Sequence, residues 1–257
     1  MCPPTGPDPA GPEWDAPVPR LTSGGRPTIG TVAAEPFQGR FSDLTLGAFI
    51  DRLSSADPVP GGGSASAVAG SIAAALVSMV AALSAGRPRY VAYADTHEHA
   101  AAAGRRLTDE LLSLADEDAV EYGGYAAAMK LPRDTEDEKA ARATALQIAA
   151  RASCQVPLRC VEACRDVVAA AEELAGRSNV NASSDLVVAA LLAEAAAGGA
   201  AANVRINLPA VGDERLAADL SSKVDGLLAE VAELAARTRA LVASGELRAS
   251  LSTSTPS

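Results

Sequence analysis

The sequence predicts an all-α protein, a single-domain bundle of long helices with disordered tails at both ends. Of the 257 residues, 48% are hydrophobic but only 3% are aromatic, so alanine, leucine and valine must supply most of the core. Alanine and leucine favour helices, whereas a β-rich core would need more aromatic and β-branched side chains. Apolar residues also recur at spacings of three and four, which is the helical period.

Proline separates the folded region from an N-terminal tail. Nine of the 16 prolines lie at or before Pro36, among many Gly, Ser and Thr residues. Such a segment cannot bury enough apolar surface to offset its ordering entropy. We therefore expect residues 1–40 to be a disordered tail, 41–244 to form one helical domain, and 245–257 to be disordered again.

The first half of the domain predicts three helices. Thr45 is a suitable N-cap for a short helix that ends near Ser55. Its apolar face comprises Leu46, Phe49, Ile50 and Leu53. A loop with the sequence PVPGGG (58–63) follows, and Ser64 then starts a long alanine-rich helix that ends near Ala85. A third helix spans about 91–130.

The second half predicts three more helices. Thr135 caps a helix over about 136–175, which contains Pro157 as an expected kink. A turn covers 176–181, and Ser183 or Ser184 caps the fifth helix. The last helix spans 213–242.

Charge and composition exclude several classes of partner. The formal net charge is −10, which disfavours binding to nucleic acid or to an anionic membrane surface. The uncharged run 58–86 is long enough to span a bilayer, but serine, glycine and alanine dominate it. We expect it to form a buried central helix or a subunit interface, with no membrane as partner.

The cysteines and histidines indicate neither disulfides nor a metal site. The first forty residues lack the apolar stretch of a secretory signal. Cys2, Cys154, Cys160 and Cys164 are therefore expected to be buried free thiols in a cytoplasmic protein. His97 and His99 lie far from the cysteines in sequence and are expected to face solvent. No metal is predicted.

Asp118 is the residue that most strongly indicates chemistry. On the third helix it shares one face with apolar and aromatic residues, namely Leu107, Leu111, Leu114, Tyr122, Tyr125 and Met129. Glu110, Ser113, Glu117 and Glu121 mark a different, solvated face, and Asp116 points about 200° away from Asp118. Burial would raise the pKa of such a carboxyl group and suit it to proton transfer. The alternative is a structural aspartate bound to a tyrosine hydroxyl or a buried arginine.

Three further segments could contact a ligand. The turn Gly61–Gly62–Gly63–Ser64 precedes a helix, where free N–H groups attract anions, although most such turns serve only as turns. Gly123 and Gly124 could admit a ligand to the backbone or mark tight helix packing. Asn203 and Asn207 share one side of their segment and could bind a heterocycle or satisfy each other.

Several motifs, in this order, make the sequence resemble the cyclodeaminase/methenyltetrahydrofolate cyclohydrolase family, which includes the C-terminal domain of formiminotransferase-cyclodeaminase. They are PGGGSASA (60–67), DEDAVEYGGYAAAMKLP (116–132), TEDEKAAR (135–142), VPL (156–158), SNVNASSD (178–185) and NVRINL (203–208). The resemblance covers about 41–242. The order of several dispersed motifs is more specific than any single one.

The resemblance implies an all-helical enzyme, a homodimer, that acts on folates without a further cofactor. Its members close 5-formiminotetrahydrofolate to 5,10-methenyltetrahydrofolate with loss of ammonia, or interconvert the methenyl and 10-formyl forms. The family's active-site aspartate corresponds to Asp118. By the same resemblance the folate pocket would include the residues Gly61, Gly62, Gly63, Ser64, Tyr122, Asn179, Asn181, Asp185, Asn203, Arg205 and Asn207.

Within that set, the resemblance implies that the asparagines hold the pterin edge and that Arg205 pairs with a glutamyl carboxylate. We expect no formiminotransferase domain before this one, which would favour the hydrolytic reaction or a related amidine chemistry. Two alternatives stay open: a helical module that binds folate or organises a partner without catalysis, and a specialised relative that cyclises a non-folate amidine.

Overall fold

The structure, a computed structural model, describes residues 39–251. These residues form six α-helices and four short 3₁₀ helices, with no β-strand among them. The all-α prediction is therefore confirmed for this part of the chain. The predicted N-terminal tail lies almost entirely outside the described residues, as do Cys2 and residues 252–257.

The six α-helices are α1 (Leu46–Leu53), α2 (Gly62–Ser84), α3 (Ala94–Met129), α4 (Glu136–Leu174), α5 (Ser183–Asn207) and α6 (Glu214–Ser244). The 3₁₀ helices are Phe41–Asp43, Pro88–Tyr93, Val180–Ala182 and Leu208–Ala210. The predicted bounds differ from these by a few residues. The largest difference is at the start of α3, because the chain before Ala94 adopts the tighter 3₁₀ helix.

Side-chain caps explain where several helices begin. The Thr45 hydroxyl accepts a hydrogen bond from the Ala48 N–H, and the Asp213 carboxylate accepts one from Leu216. Thr135 and Glu138 form a reciprocal capping box at the start of α4. Helix α2 has no such cap, since its N-cap residue is Gly61, which has no side chain. The acceptor at this helix start comes from Asp118 of α3.

Helices α2, α3, α4 and α5 form an antiparallel four-helix bundle. Contacts between neighbouring helices define their directions: Ser64 contacts Asp118, Arg159 contacts Glu117, and Cys154 contacts the Val204 carbonyl. Helix α6 packs against α4 and α5, where Lys223 pairs with Glu162. The core between them consists of leucine, valine and alanine, as the composition predicted.

Small residues bring α2 close to both of its neighbours. A Cβ atom on Gly104 of α3 would lie 2.8 Å from the Ala74 carbonyl oxygen of α2. A Cβ atom on Gly199 of α5 would overlap with the Ser66 hydroxyl. Only glycine permits these approaches, so the small-residue composition of α2 and its partners is a packing requirement.

Beyond the bundle, α3 and α4 continue as a protruding helical hairpin. Between residues 119 and 149 only Ala128 is buried. Gly123 and Gly124 lie on this hairpin, and a Cβ atom on either would meet no atom of the described residues within 4 Å. The suggestion that they mark tight helix packing is therefore wrong within the described chain.

The predicted cap of α5 is wrong, because its N-cap residue is Ala182, which forms no side-chain cap, and not Ser183 or Ser184. Four further local predictions need correction. His97 is buried, not solvent-facing. Its Nε2 donates a hydrogen bond to the Arg177 carbonyl oxygen 2.8 Å away, which satisfies the buried ring. On α1 only Phe49 is buried, where it packs edge-on against Phe41, while Leu46 and Ile50 stay exposed.

The third correction concerns the start of the predicted C-terminal tail, which is bound to the domain. The Arg248 guanidinium pairs with buried Glu172 and donates to the Glu172 carbonyl. The Tyr93 hydroxyl donates to the Arg248 carbonyl at 2.7 Å. These charged and polar contacts do not depend on apolar periodicity, and the sequence pattern therefore did not reveal them. The fourth correction concerns Glu121, which lines a cavity and does not lie on the solvated face of α3.

Candidate active site

A cavity of about 300 Å³ opens at one end of the four-helix bundle. All four bundle helices line it, together with the loop that precedes α2. The lining residues are Pro58, Val59, Gly61, Gly62, Gly63, Asp118, Glu121, Tyr122, Tyr125, Ser153, Val156, Pro157, Asn203, Ile206 and Asn207. The cavity thus brings together the Gly-rich turn, the Asp118 helix and the Asn203–Asn207 segment, which are distant in sequence.

Asp118 lies directly over the first turn of α2. The Ser64 hydroxyl is 2.9 Å from Asp118 Oδ2 and 3.1 Å from the Ala115 carbonyl oxygen, so it can donate its proton to either acceptor. The Ser64 backbone N–H also donates to the Asp118 carboxylate. Because this N–H belongs to the unpaired first turn of a helix, Asp118 acts as an N-cap supplied by another helix.

Gly63 makes this approach possible. A Cβ atom at Gly63 would overlap with the whole Asp118 carboxyl group, lying 2.6 Å from Oδ2. The third glycine of the turn is therefore required by the position of the carboxyl group. Ser64, the last predicted residue of the turn, donates a hydrogen bond to that carboxyl group.

Burial raises the pKa of Asp118 above its usual value of 3.8. The two hydrogen bonds from Ser64 act in the opposite direction, since they favour the charged form, but burial is the larger effect. Asp118 is half-buried, so its proton can still exchange with a ligand in the cavity. Asp116 faces away, as predicted, and accepts from the Phe41 N–H.

Asn203 and Asn207 reach the cavity from the last turns of α5. Asn203 Nδ2 donates to the Gly199 carbonyl, and Asn207 Nδ2 donates to the carbonyls of Asn203 and Ser153. Among residues 39–251, neither amide oxygen has a hydrogen-bond partner. The two amides therefore satisfy the backbone with their nitrogens and leave acceptors for a ligand with N–H donors.

Sequence reasoning missed two polar residues of the cavity. Glu121 was placed on the solvated face, but it lines the cavity one turn beyond Asp118. Ser153 also lines it, and its buried hydroxyl has no hydrogen-bond partner among the described residues. An unsatisfied buried hydroxyl beside a cavity is a natural donor to a bound ligand. A half-buried glutamate on a helix border could have been noticed, but nothing in the sequence distinguished Ser153.

Ser64 is fully buried and contacts the site through Asp118, and four other predicted site residues do not line the cavity of their own chain. Asn179 and Asn181 lie just before α5 and Asp185 lies in its first turn, and α5 runs antiparallel to α2. Asn179 accordingly binds Ser84 at the other end of α2, about 34 Å along the helix from the cavity. Arg205 points to α6, where it pairs with Asp225. The expectation that these four line one pocket with Asp118 is wrong for a single chain.

The cysteine prediction is confirmed where the structure describes it: Cys154, Cys160 and Cys164 are buried free thiols. Within residues 39–251 no group of three His, Cys, Asp or Glu side chains is arranged to hold a metal ion. Acid/base chemistry at Asp118 is what the cavity residues themselves can supply.

Fold and site thus define an all-helical protein with a partly dehydrated carboxyl group at the end of a four-helix bundle. Residues 45–226 match the formiminotransferase-cyclodeaminase family, and the chain belongs to this family. The resemblance drawn from the sequence motifs is therefore confirmed.

Individual relatives agree with this assignment. A methenyltetrahydrofolate cyclohydrolase from Methylorubrum extorquens is 37% identical over 190 residues, which is 74% of this chain and 91% of that protein. A formimidoyltransferase-cyclodeaminase from Sus scrofa is also 37% identical, but the match covers only 35% of its length. The crystal structure of a formiminotetrahydrofolate cyclodeaminase from Thermotoga maritima superposes with a TM-score of 0.72 at 27% identity. It covers 79% of this chain and 98% of that one.

Proposed function

We propose that this protein is a folate-interconverting enzyme in which Asp118 transfers the proton. Its relatives carry the names of a methenyltetrahydrofolate cyclohydrolase and of cyclodeaminases that act on a formimino folate. The observation that carries the mechanism is the half-buried Asp118 carboxyl group, held by Ser64 at the wall of a cavity large enough for a bicyclic ring. We favour the cyclohydrolase reaction, because the cyclohydrolase relative is 37% identical to this chain, whereas the Thermotoga cyclodeaminase, which is also matched over nearly its whole length, is 27% identical.

In the hydrolytic direction, water adds to the carbon that joins N5 and N10 of 5,10-methenyltetrahydrofolate. The Asp118 carboxylate accepts one proton from this water as the new C–O bond forms. The neutral tetrahedral adduct then collapses: the C–N5 bond breaks, Asp118 returns its proton to N5, and the hydroxyl proton leaves to solvent. The products are 10-formyltetrahydrofolate and one proton, so charge and atoms balance.

The cyclodeaminase reaction needs the same group. N10 attacks the protonated formimino carbon of 5-formiminotetrahydrofolate, and Asp118 accepts the N10 proton. Asp118 then protonates the amino group, which leaves as ammonia while the methenyl cation forms. A carboxyl group whose pKa burial has raised can both accept and return the proton, and such a group contributes about 10²–10⁴-fold.

Neighbouring groups would bind the pterin ring. The free amide oxygens of Asn203 and Asn207 can accept from the ring's N–H and amino donors, and the Ser153 hydroxyl can donate to a ring acceptor. Tyr122 and Tyr125 provide aromatic surface beside the ring. The reaction needs no cofactor beyond the folate, and we place it in the cytoplasm, as the sequence suggested.

We further propose that the protein is a homodimer joined through α2 and α5. Helix α2 carries no charge from Gly62 to Ser84, and the exposed residues of α5 from Val188 to Ala202 are all apolar or small. Glu194 lies in this range but is half-buried and pairs with Arg239 of α6. Ile72, Met79, Val188 and Leu191 are each at least 40% exposed there. An apolar surface of this length is characteristic of a protein interface.

The same two helices are long and apolar enough to cross a membrane by length and composition alone, although about half of each apolar window is buried in the bundle. Core helices also meet this criterion, so we favour the subunit interface.

The function is tested by following the absorbance of 5,10-methenyltetrahydrofolate in the presence of the purified protein. We expect loss of the methenyl chromophore well above the uncatalysed rate. A protein that binds the folate but leaves the chromophore intact would be the non-catalytic module. Inactivity with both folates would instead favour a relative that acts on a different amidine.

A further inference from the structure

The cavity has an unbalanced negative charge. Asp118 and Glu121 contribute two carboxyl groups to its wall, and none of its lining residues is a lysine, arginine or histidine. The remaining polar groups are amides and hydroxyls, which are neutral. A ligand that enters this cavity therefore meets an electrostatic environment that favours positive charge.

Glu121 differs from the two nearby glutamates of α3 that lie outside the cavity, because both of these form ion pairs. Glu117 pairs with Arg159 at 2.7 Å and Glu110 pairs with Arg106 at 2.8 Å. Within residues 39–251 the Glu121 carboxylate has no hydrogen bond and no ion pair. It is half-buried, so its charge is less screened by water than that of a fully exposed side chain.

The charge of the proposed ligands changes during the reaction. The reacting carbon of 5,10-methenyltetrahydrofolate belongs to an amidinium cation, and so does that of the protonated formimino folate. The 10-formyl product is neutral at the same carbon. Aromatic side chains also attract planar cations, and Tyr122 and Tyr125 line the same cavity.

On the basis of the function proposed above, we propose that Glu121 determines specificity for the amidinium form of the folate over neutral folates. Its carboxylate stabilises the positive charge of the bound substrate. When water converts this cation to the neutral product and a proton, the attraction is lost and the product is released more readily. Glu121 takes part in no proton transfer in this account, which distinguishes it from Asp118.

The proposal is tested by Glu121→Gln, which keeps the side-chain shape and removes the charge. The readouts are kcat and KM for 5,10-methenyltetrahydrofolate, and the inhibition constant of 5-formyltetrahydrofolate, which is neutral at N5 and has the same pterin and glutamate. We expect KM for the cation to rise about tenfold, as one screened charge pair allows, with kcat changed less than threefold. The inhibition constant of the neutral folate should change less than twofold.

Glu117→Gln is the matched control, because it removes the same charge from the same helix one turn away but outside the cavity. It should change KM less than twofold. Raising the salt concentration should weaken the preference of the unsubstituted protein for the cation and leave that of Glu121→Gln nearly constant.

Equal weakening of the cationic and neutral folates by Glu121→Gln would overturn the proposal and indicate a steric role. An equal effect of Glu117→Gln would overturn it too, since net charge alone would then explain the preference. If the unsubstituted protein does not convert methenyltetrahydrofolate at all, the proposed function itself fails, which is a different result.

Discussion

At the scale of single residues, the properties of Asp118 depend on two opposing neighbours. The apolar bundle removes water from the carboxyl group and raises its pKa, while Ser64 donates two hydrogen bonds that favour the charged form. The carboxyl group can occupy this position only because Gly63 has no side chain. The same contacts that cap α2 therefore hold in place the carboxyl group that we propose transfers the proton.

Gly63→Ala should disturb this arrangement without unfolding the bundle. The added methyl group would overlap with the Asp118 carboxyl group, which must move away from Ser64. A displacement of about 1 Å at a reacting group can lower turnover about 10²-fold, and we expect a loss of at least tenfold in kcat. Steady-state kinetics and a thermal melt would measure both effects.

Gly123→Ala is the matched control for that substitution. Position 123 is helical and open, with no atom of the described residues within 4 Å of a new Cβ atom. Alanine there should stabilise the protein by about 0.5–1 kcal/mol and leave kcat unchanged. Equal kcat values for the two alanine variants would contradict the role assigned to Gly63.

The residue pattern predicted Asp118 better than it predicted its surroundings. A single acid on an apolar stripe was visible from spacing alone, and the structure places it at the cavity. Glu121 was missed because it lies at the border between two helix faces, where periodicity does not assign a side. Asn179 was misplaced because its position depends on the direction of α5, which is a tertiary property.

At the scale of elements, Pro157 shows how one helix supports another. Proline has no N–H, so the Ser153 carbonyl of α4 lacks its usual helical donor. Asn207 Nδ2, from the end of α5, donates to this carbonyl at 3.3 Å. Pro157 thus leaves a free acceptor on α4, and through it α5 is hydrogen-bonded to α4 at the cavity.

This link predicts a coupling between two substitutions. Asn207→Ala should lower the free energy of unfolding by about 1–2 kcal/mol, because the Ser153 carbonyl is left without a donor. In a Pro157→Ala background the new backbone N–H can donate to that carbonyl, so the same substitution should cost at least 0.5 kcal/mol less. Denaturant unfolding of the four proteins measures the coupling, and strictly additive effects would contradict it.

Helix starts were easier to predict than helix environments. Thr45 and Thr135 cap their helices as predicted, since capping is local, whereas neither Ser183 nor Ser184 is the cap of α5. Ser64 is the predicted start of α2, but the helix begins at Gly62. Local residues do not reveal its cap, because the Asp118 carboxylate is 54 residues away in sequence. The bonds that bind Arg248 to the domain are similarly long-range.

At the scale of the whole molecule, bundle topology creates the cavity. The start of α2, the later part of α3, the middle of α4 and the end of α5 meet at one end because adjacent helices are antiparallel. The all-α class and the family followed from composition and dispersed motifs. Which motifs share a pocket did not follow, because that depends on how the helices are connected and oriented.

The proposed dimer gives a prediction at this scale. Leu191→Glu places a charge in the centre of the uncharged α5 face, and we expect it to convert the dimer to a monomer, as measured by light scattering after size-exclusion chromatography. Ile148→Glu is the control, because Ile148 is 64% exposed on the protruding hairpin. It should leave the dimer intact. Dissociation by Ile148→Glu instead would place the interface on the hairpin.

The proposed mechanism depends on Asp118 as the proton-transferring group, and the Asp118→Asn variant tests that role most directly. The variant should keep its fold. Because the pKa of Asp118 is raised in the folded state, the aspartate destabilises the folded protein above that pKa. Any stability that asparagine gains by removing this charge should therefore disappear as the pH falls to 3.8.

The decisive readout is turnover of 5,10-methenyltetrahydrofolate by folded Asp118→Asn at neutral pH. We predict a kcat about 10²–10⁴-fold below that of the unsubstituted protein, with the folate still bound. Turnover equal to that of the unsubstituted protein would show that another group transfers the proton.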